Sequence, residues 1–224
     1  MLGTLFNAVA VTIGASLGLA LRKRVPKKLQ KTVFSAIGLF TLFIGVDMMG
    51  SVSRPIAVFI ALVLGASFGH WVGLDQTIKK AANRLGEGEG AALVQSTLLF
   101  CVGAMTLVGC MQDGLRGDPS VLLAKGTMDL FSALFMAATM GRGVLFSALS
   151  VLVIQGGMTL CFSLIGTGIP EALVGELSGL GGILLLALGL DLLNVRKFAL
   201  IDLTWSLPLL PLVLWILDIT GFPA

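Results

Sequence analysis

Eight apolar stretches, most of them joined by connectors only a few residues long, fix what this chain can become. They cover residues 2–21, 32–49, 56–74, 91–110, 121–140, 144–165, 179–193 and 203–219. A helix of about 20 residues crosses the roughly 30 Å hydrocarbon core of a bilayer, since each residue adds about 1.5 Å. Inside that core every backbone N–H and C=O must be bonded within the protein, so lone spanning stretches have to be helices. The expected fold is therefore all-α: a polytopic integral membrane protein with about eight transmembrane helices in one membrane domain, 1–224. The balance of residues agrees, with 56% hydrophobic and only 12% charged, where a soluble domain is nearer a quarter charged. The first stretch has no basic segment before it and no small-residue cleavage site after it. It reads as a retained span rather than a signal peptide.

Local features refine the spans. Pro55 suits the first position of the third helix. Pro208 and Pro211 should kink or interrupt the eighth. Gly14 and Gly18 in the first span, and Gly65, Gly69 and Gly73 in the third, form small-residue stripes that let helices approach closely. Those stripes are also candidates for a homo-oligomer interface. Gly156 and Gly157, in the middle of the sixth span, allow close packing or a local break that exposes backbone carbonyls, and close packing is the favoured expectation. The one long polar connector, 75–90, places Ile78, Ala82 and Leu85 on one helical face and Lys79, Lys80 and Arg84 largely opposite. It predicts a short amphipathic helix on the membrane surface.

The basic residues set an orientation. If the connector after the first span is cytoplasmic, that face carries Arg22, Lys23, Arg24, Lys27, Lys28, Lys31, Lys79, Lys80, Arg84, Arg142, Arg196 and Lys197, and the other carries Arg54 and Arg116. Twelve against two is a strong positive-inside bias, and with eight spans it predicts both termini outside.

Charge inside a span is the clearest pointer to function. Lys125 and Asp129 lie four apart in the fifth stretch, hence on one helical face. Asp129 falls roughly 13 Å past Ser120, near mid-membrane. A charge at that depth costs at least about 2.5–3.5 kcal/mol, so both residues must face protein, water or each other. Asp113 and Asp118 lie in the expected loop before the same helix, and Asn7 and Gln155 are neutral amides within spans one and six, with an interhelical hydrogen bond the favoured reading of Asn7 over a ligand contact. Together Lys125, Asp129, Asp113, Asp118, Asn7 and Gln155 are the candidate substrate- or ion-binding residues. Asp47 and Asp191 carry a different signal. The second span reads Gly38 through Gly45 to Asp47 and the seventh reads Gly182 through Gly189 to Asp191, aligned without a gap. A match between an even and an odd span suggests an inverted repeat, spans one to three against six to eight, around a central pair.

Several functions find no residues to carry them. Cys101, Cys110 and Cys161 have neither zinc nor redox spacing, and one histidine is too few for a histidine-built metal site. There is no phosphate loop, no H-E-x-x-H and no nucleophile–base pair. The expectation is no enzyme, no metal, no cofactor and no nucleic acid, with the lipid bilayer as the main partner.

The opening Gly3-Thr-Leu-Phe-Asn7, the run Phe100-Cys-Val-Gly-Ala-Met105, Gln112-Asp113-Gly114 with Gly117-Asp118, Lys125 and Asp129, and Gln155-Gly156 resemble the YqgA/YdfK-like family of bacterial inner-membrane proteins. The resemblance covers essentially the whole chain and is most specific from Phe100 to Gly156. It implies an inner-membrane protein and brings no established activity with it. Intramembrane charge and the repeat favour a secondary transporter or channel for a small solute or ion. The alternative is a structural or assembly protein in which Lys125–Asp129 is a buried pair that fixes helix register.

Overall fold

The structure is a computed structural model and describes residues 1–21, 26–73, 88–101, 104–166 and 170–220. Among these residues it is all helix: α1 (Leu2–Leu21), α2 (Lys27–Met49), α3 (Pro55–Val72), α4 (Glu89–Cys101), α5 (Ala104–Arg116), α6 (Ser120–Met140), α7 (Gly143–Gly166), α8 (Glu171–Leu192), α9 (Leu200–Leu203) and α10 (Ser206–Thr220). Seven helical segments, with α9 and α10 counted as one, are long and apolar enough to cross a membrane, and an eighth joins them if the bent pair α4–α5 is one span. The protein is a polytopic α-helical membrane protein. The amphipathic helix expected over 75–90 and the basic residues 22–24 lie largely or wholly outside the described residues.

The helices form two compact units. The first comprises Met1–Ile37 and Ile78–Thr167, the second Gly38–Thr77 and Gly168–Ala224. In the first, α1 and α6 run in the same direction. Gly3 and Gly126 admit Leu122 and Asn7, and further along Gly14 and Gly18 admit the backbone of Leu130 and Leu134. A Cβ on Gly14 or Gly18 would lie 2.1 or 2.2 Å from those carbonyl oxygens, so only glycine permits this approach. The buried face of α1 is small or polar (Gly3, Thr4, Asn7, Ala10, Gly14, Gly18), and its exposed face carries Phe6, Val9, Ile13 and Leu17. That inversion of the soluble pattern suits a helix bathed in lipid on its outer side, where apolar side chains need no burial. Val11, Ala15, Phe100, Ala133 and Val151 are the centre of this unit's core.

In the second unit α2 and α8 are antiparallel, with Gly38 against Gly189 and Gly45 against Gly182. Antiparallel packing also joins α3 and α10, where Gly65 meets Ser206 and Gly69 meets Asp202. All these contacts lie within the chain. The glycine faces of α1 and α3 are thus occupied, and they lend no support to the homo-oligomer interface that their sequence suggested.

Four expectations are corrected. The fourth span is not one run over 91–110 but two helices meeting at 55°. Asp113 is not in a loop, because α5 continues to Arg116. The segment before the seventh span is helical from Glu171, two turns earlier than expected. Gly156 and Gly157 do not pack closely: a Cβ on Gly157 would meet nothing within 4 Å, and one on Gly156 only the methyl ends of Thr4 and Met1. The eighth span begins with the short helix α9, and α10 keeps Pro211 inside it.

Helix direction bears on the number of crossings. Parallel α1 and α6 must be separated by an odd number of crossings. The helices α2 and α3 supply two, and α4–α5, taken as one bent crossing, supplies the third. A re-entrant α4–α5 pair would leave α6 antiparallel to α1, contrary to their contacts.

Candidate functional site

The polar residues of the first unit converge where α1, α6 and α7 meet. Gly126 makes this possible. A Cβ there would lie 2.7 Å from a Phe6 ring carbon and 3.1 Å from Asn7 Cα, so its absence lets α1 come down onto α6. Asn7, fully buried, then donates both amide hydrogens: Nδ2 lies 2.9 Å from Asp129 Oδ2 and 2.8 Å from Gln155 Oε1. Lys125 Nζ donates to the same Asp129 Oδ2, as the four-residue spacing predicts. Lys125, Asp129 and Gln155 are all at least nine-tenths buried.

The network extends beyond these four of the six residues that sequence singled out. Gln155 Nε2 donates to Thr4 Oγ1 at 3.4 Å, and Thr4 and Thr159 hydroxyls stand 3.4 Å apart. Cys110 Sγ donates to the Gln155 backbone oxygen at 3.5 Å, which brings α5 into the cluster. Thr4, Thr159 and Cys110 gave little signal in the sequence. Small hydroxyl and thiol side chains are common in apolar helices, where they bond their own backbone as readily as a neighbour.

Two acceptors and two donors account for the Asn7 amide and leave its carbonyl over. Asn7 Oδ1 is buried and has no hydrogen-bond partner among the described residues. A buried acceptor with an unmade bond costs about 1–3 kcal/mol, and a water, a cation or a ligand N–H would remove that cost. The cluster therefore offers one carboxylate, one ammonium, two amides and an unfilled acceptor, all enclosed between helices.

The other candidate residues sit elsewhere. Asp113, buried in the last turn of α5, takes the amine of Met1 at 3.0 Å. Asp118 is exposed and accepts from the Ser120 backbone N–H at 2.9 Å and from its hydroxyl, which caps the start of α6. The structure does not bring it into the buried cluster. In the second unit, Asp191 pairs with Lys197 at 2.8 Å, and Asp47 is exposed near the end of α2. Sequence reading passed over Glu176, which is 4% exposed and accepts the backbone N–H groups of Ser53 and Arg54, each at 2.9 Å.

Comparison with known proteins agrees with the membrane architecture. The chain is 28% identical over 226 residues to the uncharacterized membrane protein YdfK of Bacillus subtilis (strain 168), covering 99% of each chain. It is 29% identical over 215 residues to the uncharacterized protein YqgA of Escherichia coli (strain K12), covering 91% of this chain and 92% of YqgA. No solved structure matches it. Residues 2–215 match the family described as protein of unknown function (DUF554), and the chain belongs to that family.

Proposed function

We propose that this protein is a secondary transporter or channel for a small solute or ion in the bacterial inner membrane. The observation that carries the reading is the Asn7–Asp129–Lys125–Gln155 cluster with its unpartnered Asn7 oxygen. Asp129 is the carboxylate that takes a proton or a cationic group, and Lys125 is the internal counter-ion that competes for it. Intramembrane ionisable residues mark solute and ion paths more often than not. Asp113, at the end of α5, lies on the approach. Asp118 is kept only as a loop charge near it.

The inverted repeat belongs to the same proposal. What supports it is local. The matched stretches of α2 and α8 pack on each other, glycine to glycine. Each proposed triplet also divides in a similar way between the two units: α1 and α7 fall in the first, and α3, α8–α10 and α2 from Gly38 onward in the second. In each unit the supposed counterparts are antiparallel neighbours, as a two-fold axis in the membrane plane requires. An experimental structure in which α1–α3 fail to superpose on α7–α10 after such a rotation would dispose of the repeat.

A structural role is the second reading, favoured by Asn7 tying three helices together. One variant separates the two. Lys125→Met with Asp129→Asn removes both charges and leaves an oxygen for Asn7 to donate to. Purified protein is placed in liposomes holding a pH-sensitive dye, and an inward Na⁺ or K⁺ gradient is imposed. The wild-type protein is expected to move protons or cations, and the double variant to remain folded and move none. Equal flux from both would leave the structural reading.

A further inference from the structure

The second unit contains a cavity of about 450 Å³ that the cluster above does not use. Its polar wall is Arg54, Glu176 and Asp218, and its apolar wall includes Leu173, Leu214 and Trp215. Glu176 is held there for a structural reason. Helix α3 has Pro55 at its start and no side-chain cap of its own. Glu176 Oε1, arriving from α8, accepts the Ser53 and Arg54 N–H groups and caps α3 from outside.

Only one carboxylate oxygen is used in this way. Glu176 Oε2 is buried and has no partner among the described residues, although the residue lines the cavity. The neighbouring charges do not answer it, since Arg54 Nη1 is 2.7 Å from Asp218 Oδ1. Arg54 and Asp218 balance each other, and among the described residues no cation answers Glu176 Oε2, buried in the wall of a cavity with room for more than a water. Among the described residues no group of three or more histidine, cysteine, aspartate or glutamate side chains could hold a metal ion there. The apolar wall suits a short hydrocarbon attached to the cation, and an indole face attracts cations.

We infer that this cavity binds a primary ammonium group, which donates to Glu176 Oε2 while its alkyl part rests against Leu173, Leu214 and Trp215. The group has two sources, a free alkylamine or the ammonium of a phospholipid headgroup. The site goes beyond the transport reading and does not depend on it.

The test uses full-length protein, stripped of lipid in a non-ionic detergent and titrated by calorimetry with ethylammonium chloride. Saturable binding is expected, with none for tetramethylammonium, which has no N–H. Glu176→Gln keeps an oxygen for the Ser53 and Arg54 N–H groups and puts a donor where Oε2 was. It is expected to weaken binding about tenfold or more, the loss typical of a charge-assisted hydrogen bond. Ala172→Trp, an exposed position on the rim, closes the cavity without touching the cap. It should also abolish binding, and it decides the matter if the Gln variant does not fold. In a Lys125→Met, Asp129→Asn background, which removes the other carboxylate able to take a cation, a saturable ethylammonium site that Glu176→Gln weakens should remain, so failure of the transport reading leaves this result standing. In nanodiscs, loss of ethylammonium binding with phosphatidylethanolamine but not with phosphatidylcholine assigns the site to a headgroup. Binding in both assigns it to a free amine. No saturable binding of ethylammonium in detergent, or equal binding by Glu176→Gln and Ala172→Trp, overturns the inference.

Discussion

Asn7 is the residue on which the first unit's polar contacts turn. It serves two acceptors, Asp129 on α6 and Gln155 on α7. Replacing it with Leu, of similar volume, strands Gln155 Oε1 and leaves Asp129 Oδ2 with Lys125 alone. Each buried acceptor left unsatisfied costs about 1–3 kcal/mol. Gln155→Leu strands one amide hydrogen of Asn7. Removing both amides should therefore cost less than the sum of the single changes. Between membrane helices such couplings average about 0.6 kcal/mol and reach about 1.7 kcal/mol. A double-mutant cycle on thermal unfolding in detergent measures it. A coupling of zero would mean that the Asn7–Gln155 contact adds nothing to stability. Most of this cluster was legible in the sequence, because an amide or a charge in an apolar run has few harmless explanations. Which groups meet was not legible. Asn7 and Asp129 are 122 positions apart, and only the absence of a side chain at Gly126 brings them together. Glu176 was passed over for the opposite reason. A carboxylate six residues past Pro170 reads as loop, whereas here its burial is offset by the backbone N–H groups of another helix.

At the level of helices, the glycines divide into those that a neighbour fills and those that face open space. Gly14 and Gly18 meet the backbone of α6, which cannot rotate away as a side chain can. Gly14→Ala with Gly18→Ala should destabilise by about 1–3 kcal/mol per site, the usual cost of overpacking, partly offset by the better helix propensity of alanine. Gly157→Ala meets nothing and should be neutral or stabilising by up to about 1 kcal/mol. Unfolding temperatures measured side by side check the contrast; equal effects at the two places would contradict the packing. Hydropathy located the spans well, since the bilayer demands length and apolarity from any crossing. It gave no warning of the 55° break between α4 and α5, because both halves are apolar. Nor did it separate Gly14 from Gly157, because a small-residue pattern says that close approach is permitted and not that a neighbour takes it.

For the whole molecule, the decisive question is which end of α6 faces the cytoplasm. The helix has 21 residues, or about 31 Å at 1.5 Å each, enough to carry its two ends to opposite faces of the bilayer. Arg116 lies just before it and Arg142 just after, and both are exposed. The positive-inside bias predicts Arg142 on the cytoplasmic face, Arg116 on the outer one and both termini outside. Every connector in the alternating order agrees with that assignment, and the shared direction of α1 and α6 keeps the order intact as far as the seventh helix. Cys101, Cys110 and Cys161 are free thiols and are replaced by alanine for the test. Single cysteines then stand at position 116 or at position 142. An impermeant maleimide added to intact cells should label position 116, and should label position 142 only after the membrane is opened. Labelling of 142 alone on intact cells would invert the molecule and put Asp113 on the cytoplasmic side. Labelling of both would mean that α6 does not cross, and the buried Lys125–Asp129 pair would then need another explanation than a path through the membrane.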